Sequence, residues 1–80
     1  MNYTYILIFN SVHRVMRAEK ILKDSFISSK TIPVPRKLSS DCGLAIRVIE
    51  TNLNRLKDIL ADEPAEEIYI EENNDFRRVA

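Results

Sequence analysis

The chain has 80 residues, 12 basic and 12 acidic side chains, zero formal net charge and one cysteine. This length implies a single domain with one modest core and little room for a deep, closed active site. The charge balance, with no basic block, argues against a nucleic-acid binder, which draws its affinity from neutralising phosphates. A lone cysteine makes neither an internal disulfide nor a thiolate metal cage, so neither metal nor cofactor is expected. The longest apolar run, Tyr5 to Phe9, is too short to span a membrane. The start of the chain lacks the charged and apolar regions of a signal peptide. The expected setting is the cytoplasm, with no membrane partner.

Tyr3-Thr4-Tyr5-Ile6-Leu7-Ile8-Phe9 is rich in β-branched and aromatic residues and reads as a central strand. Asn10-Ser11 then offers a helix cap. Apolar residues at Val12, Val15, Ala18 and Leu22, with Met16 and Ile21 beside them, alternate with charged positions and predict an amphipathic helix. Phe26 and Ile27 are expected to close it against the core, and Ser28-Ser29-Lys30 to turn. Thr31-Ile32-Pro33-Val34-Pro35 follows as an extended segment whose prolines place it at a sheet edge. Arg36 to Cys42 reads as a polar loop. Leu44 to Ile49 predicts a third strand. Thr51 is placed to cap a second helix with Leu53, Leu56, Ile59 and Leu60 on one stripe. Glu67 to Glu71 alternates as the last strand. Residues 1–71 form the domain, and 72–80 read as a polar tail with Phe76 and Val79 as docking points.

The order is strand, helix, strand, strand, helix, strand. Right-handed crossovers turn this into an α+β, ferredoxin-like two-layer sandwich. Its four-stranded antiparallel sheet carries both helices on one face. The first and third strands are central and the second lies at an edge, where the prolines fall. This topology puts residues 36–43 beside the start of the first helix, near Asn10, Ser11, Val12 and His13.

That location directs attention to Cys42. A helix N-terminus presents free N–H groups and positive potential, which favour a thiolate. Arg36, Lys37 and His13 add positive charge, and Ser39, Ser40 and Ser11 offer hydroxyl groups to an anion. Gly43 leaves room beside the sulfur for a partner's backbone. Asp41 opposes these effects, because a neighbouring negative charge raises a thiol pKa. Each residue also has an ordinary reading. A lone cysteine can be a small buried hydrophobe, Gly43 can permit a bulge, and His13 and Arg36 can be solvated. Ser39-Ser40-Asp41 suits a turn. No phosphate-binding glycine loop exists in a chain with one glycine, and no oxyanion motif accompanies the single Cys and His.

The segment Pro33-Val34-Pro35-Arg36-Lys37-Leu38-Ser39-Ser40-Asp41-Cys42-Gly43-Leu44-Ala45-Ile46-Arg47 resembles the signature of the selenium/sulfur carrier protein-like family. Phe9-Asn10-Ser11 and Ala18-Glu19-Lys20-Ile21-Leu22 fit as well, and the likeness extends from Tyr3 to Leu60. The resemblance implies a carrier rather than a stand-alone enzyme. Cys42 would hold sulfur or selenium as a persulfide or selenosulfide. It would receive the atom from a donor protein and pass it to an acceptor, with Gly43 as spacer and Arg36, Ser39 and Ser40 in support. The competing expectation is a binding or dimerisation module with a structural cysteine, which fold-level analogy alone allows.

Overall fold

The computed structural model describes residues 3–38, 43–50 and 52–80. Strand β1 (Tyr3–Ile8) leads into helix α1 (Val12–Asp24). The Ser11 hydroxyl accepts the Arg14 N–H at 3.3 Å, so Ser11 caps α1. Strand β2 (Ser29–Pro33) and strand β3 (Leu44–Glu50) follow, then helix α2 (Leu53–Ile59), strand β4 (Glu67–Glu72) and strand β5 (Asp75–Arg78). Asn52 caps α2 by accepting the Asn54 N–H at 2.8 Å. Thr51, the expected cap, lies outside the described residues.

The strands form one antiparallel sheet in the order β2-β3-β1-β4-β5. The central places of β1 and β3 and the edge place of β2 agree with the sequence reading. The strand count does not, because the sheet has five strands rather than four. The segment read as a polar tail turns back on β4 through Asn73-Asn74, with Glu72 opposite Asp75. Both asparagines take positive φ, 50° and 65°, the backbone a two-residue hairpin turn demands and asparagine tolerates. The hairpin escaped the sequence reading because its turn lacks glycine and its strand, Asp75-Phe76-Arg77-Arg78, has one apolar residue. Val79 and Ala80 then pack against the core.

The core lies on one face of the sheet. Strand register aligns Val48, Tyr5 and Ile70 in one row and Ile46, Leu7 and Ile68 in the next. Val15, Ala18 and Leu22 of α1, with Leu56 and Leu60, close over these rows. Both helices therefore cover the same face. A fully buried side chain such as Leu7 contributes about 1.5–3 kcal/mol.

Three expectations fail around the first helix. Val12, at the head of the apolar stripe, is exposed, and so is Met16 beside it. Phe26 does not close the helix against the core; its ring stands 96% exposed. Ser28-Ser29-Lys30 is no turn, because β2 has begun by Ser29. The chain instead turns one step earlier. The Phe26 N–H donates to the Lys23 carbonyl and the Ile27 N–H to the Leu22 carbonyl, both at 3.0 Å, with Phe26 at φ 59°. This is a left-handed helix closure, and it seats Ile27 in the core while turning Phe26 out.

An ion-pair clamp ties α1 to the segment before β4. Arg14 reaches Glu63 at 3.3 Å, Glu66 at 2.8 Å and the Pro64 carbonyl at 2.8 Å. Arg17 adds a bond to Glu63 at 3.0 Å. Glu63 is buried, and its carboxylate is compensated by two guanidinium groups, as buried charge requires.

Candidate functional site: the loop between β2 and β3

The β2–β3 loop is described from both of its ends. Ser39, Ser40, Asp41 and Cys42 lie outside the described residues. At its base the Val34 N–H donates to the Gly43 carbonyl at 3.0 Å, adding one rung to the β2–β3 ladder. Pro35 begins a tight turn that closes when the Leu38 N–H donates to the Pro35 carbonyl at 3.0 Å.

Gly43 falls where the topology predicted. Ile8 pairs with Ala45, so Gly43, two residues before Ala45, sits at the sheet end where α1 begins. The far side of the loop departs from expectation. The Lys37 ammonium donates to the Asn74 carbonyl at 2.6 Å. Asn74 belongs to the β4–β5 turn, at the opposite end of the sheet, where β1 starts. The helices occupy one face, so this bond carries the segment around Lys37 back over the other. That face contains Ile6 and Ala45, both buried despite pointing away from the helices. No pattern in the sequence announced this tether, because a lysine-to-carbonyl bond leaves no periodic signal.

The proposed supporting residues are only partly assembled. Ser11 is at the α1 start, with its hydroxyl engaged in capping. His13 is exposed in the first turn of α1, and Arg36 is exposed on the loop. The positive charge of Arg14 at the same end is held by Glu63 and Glu66. Gly43 is exposed, its φ is not positive, and among the described residues a methyl group added there would meet only Val34 Cγ2, at 3.6 Å. Neither the backbone conformation nor the described surroundings require glycine at this position.

The remaining chemistry is sparse. Burial raises the Tyr5 phenol above its ordinary value, with smaller contributions from Tyr3 and Glu50. A hydrogen bond to Glu67 at 2.8 Å raises that of Tyr69. A cavity of about 280 Å³ under α2 is walled by apolar residues including Leu56, Leu60, Pro64 and Ile68. Among the described residues no cluster of three or more His, Cys, Asp or Glu side chains is placed to hold a metal ion, and no helix is long and apolar enough to cross a membrane.

Fold and loop together define a small α+β domain in which an antiparallel sheet, covered by two helices on one face, supports a long loop containing the chain's one cysteine. Residues 4–72 match the family model described as "Putative Se/S carrier protein-like". The chain belongs to this family. No match is found among curated proteins or among solved structures.

Proposed function

We propose that the protein is a sulfur or selenium carrier and that Cys42 is its carrier atom's attachment point. The observation that carries this reading is the family match over residues 4–72, a span that includes the chain's single cysteine. The strand order β2-β3-β1-β4 and the paired helices on one face support a ferredoxin-like frame. Such a frame gives a carrier what it needs, an accessible loop on a rigid sheet rather than a deep pocket.

The transfer is an exchange between sulfur atoms. The Cys42 thiolate attacks the terminal sulfur of a donor persulfide, forming a new S–S bond as the donor's S–S bond breaks. The donor leaves as a thiolate and Cys42 holds the persulfide. Attack by an acceptor thiolate on that terminal sulfur reverses the roles. The transferred sulfur keeps its oxidation state, so no outside oxidant or reductant enters. Selenium follows the same course as a selenosulfide. Gly43, next in sequence to Cys42, favours the reaction by adding no side chain of its own there. Arg36, exposed on the loop, supplies positive potential to the thiolate and to an incoming anionic persulfide, and His13, exposed in the first turn of α1, adds a hydrogen-bonding imidazole.

The test is incubation with a cysteine desulfurase and free cysteine, followed by intact-mass measurement. The expected result is addition of one sulfur to the wild type and none to Cys42→Ser. Equal addition to both, or no addition to the wild type, rejects the assignment. Thiol titration of the folded protein gives a second reading. Slow labelling that accelerates only on unfolding would favour the structural-cysteine alternative.

A further inference from the structure

Strand β2 ends the sheet on one side, and its backbone has an ordered set of free positions. The Ile49 N–H donates to the Ser28 carbonyl, and the Val34 N–H to the Gly43 carbonyl. In an antiparallel ladder such bonds recur at every second residue. Ser28, Lys30, Ile32 and Val34 therefore turn their backbone groups toward β3. Ser29, Thr31 and Pro33 turn theirs outward, where no further strand pairs among the described residues.

The apolar surface is concentrated beside this edge. Five large hydrophobic residues are exposed among those described, and four of them border β2. Phe26, 96% exposed, stands at the turn entering it, and Ile49, 45% exposed, lies on the neighbouring strand opposite Ser28. Met16 and Val12, 66% and 53% exposed, lie on α1. Their flank is fixed by the helix's own bonds. Glu19 accepts a hydrogen bond from the Thr31 hydroxyl, so its side of α1 faces β2. Arg14 and Arg17 point the other way, toward Glu63. Val12, Met16, Glu19 and Lys23 recur at spacings of four, three and four, which is one stripe of a helix.

We propose that a second copy of this chain docks here, its β2 pairing antiparallel with β2 around a two-fold axis at Thr31, with α1 packing against the partner's α1. This interface does not depend on sulfur chemistry. The backbone pattern is self-complementary, as a two-fold contact requires. Thr31 exchanges both of its bonds with the partner's Thr31. Ser29 donates to the carbonyl of the partner's Pro33, and the reverse holds at the other end. Only the bond from the missing proline N–H is lost at each end. Lys30 falls opposite the partner's Ile32, so no like charges face each other directly.

The second layer fits the same geometry. Helix α1 contacts both β2 and β3, so its axis lies over the gap between them, about half a strand spacing inside the edge. One strand spacing between the paired edges, plus half a spacing on each side, sets the two α1 axes about 10 Å apart. Helices pack at about 8–10 Å. Met16 and Val12 then lie in the helix–helix seam, and a Phe26 ring stands at each end of the shared edge.

Sedimentation equilibrium of the full chain over a series of concentrations tests the proposal, with circular dichroism checking that each variant is folded. The wild type should self-associate to a dimer. Thr31→Pro, which removes an outward N–H, and Met16→Lys, an exposed change on a helix, should each weaken association about tenfold or more. Arg78→Pro removes an outward N–H from the opposite edge, on β5, and should leave it unchanged. A wild type that stays monomeric overturns the proposal, as does a dimer weakened by Arg78→Pro but by neither of the other changes. Should Thr31→Pro unfold the chain, Met16→Lys decides alone, and an unaltered dimer in that variant rejects the seam.

Discussion

Replacing Phe26 by glycine should make the folded monomer more stable, although it deletes the most exposed aromatic ring among the described residues. Phe26 holds φ at 59° at the end of α1, where the backbone of residues 22–27 closes the helix. An L-residue in the left-handed region costs about 1–2 kcal/mol relative to glycine. Glycine gives back about 0.4–1 kcal/mol through the larger entropy of its unfolded chain. The ring is 96% exposed, so its removal forfeits almost no buried surface. The balance is a gain of about 0.5–1 kcal/mol. For a domain of this size that corresponds to a rise in Tm of roughly 2–8 °C. Phe26→Ala keeps the strained backbone and should stay within about 0.5 kcal/mol of the wild type. Thermal and urea unfolding at low protein concentration, where association does not contribute, compares the three. Destabilisation of both variants by more than about 1 kcal/mol would mean that the ring is packed in the monomer. Equal stability of Ala and Gly would mean that residue 26 is not left-handed.

Other expectations follow from the clamp, the buried phenol and the loop base. Arg14→Ala strands the buried Glu63 carboxylate with Arg17 as its remaining described partner and should cost about 2–4 kcal/mol in urea unfolding; a loss below about 0.5 kcal/mol contradicts the clamp. Tyr5 keeps its proton more firmly folded than unfolded. Its contribution to stability is therefore complete below the unfolded value near pH 10 and lost as pH rises through the higher folded value. Alkaline unfolding should begin above about pH 10 and shift to higher pH in Tyr5→Phe; an unshifted midpoint refutes this. Gly43→Ala should change stability by less than about 0.5 kcal/mol, because among the described residues its methyl group meets only Val34; a larger loss in thermal unfolding shows that the fold itself needs the glycine.

How far the sequence disclosed this structure depends on which signal each element left. Period-two alternation marked Leu44 to Ile49 and Glu67 to Glu71, and both became strands. Helical spacing marked Val15, Ala18 and Leu22, and all three are buried. Prolines 33 and 35 marked an edge because they remove ladder donors, and β2 is at an edge. The misses have equally local causes. Phe26 looked like a core residue by composition, yet the helix closure had to turn one residue outward, and Ile27 took the interior place. Asn73-Asn74 is a weaker turn signal than a glycine pair, so β5 was read as tail. At the loop, the topology correctly set Gly43 at the α1 end, while the Lys37 bond to Asn74 was invisible. Such a contact joins residues 37 positions apart and depends on one side chain reaching across a face.

Two positions carry residues that the fold does not call for. At residue 26 the backbone favours glycine, and the chain has phenylalanine with its ring in solvent. At residue 43 the backbone and the space accept a side chain, and the chain has glycine. Stability therefore explains neither choice, and each is the opposite of what packing alone would select. Function outside the monomer accounts for both under the two proposals made above. An exposed ring at residue 26 gains contact area only when a second surface covers it. An absent side chain at residue 43 gains value only when something must approach the neighbouring cysteine. The two positions bracket β2 and its loop, so the strand that offers its edge to a partner is also the strand that leads into the cysteine loop. Exchanging the residues' character separates the roles. Phe26→Gly should weaken self-association while leaving sulfur loading of the monomer intact, and Gly43→Val should slow sulfur loading while leaving association intact. A single variant that abolishes both, while remaining folded, would show that dimer formation and transfer are one event rather than two.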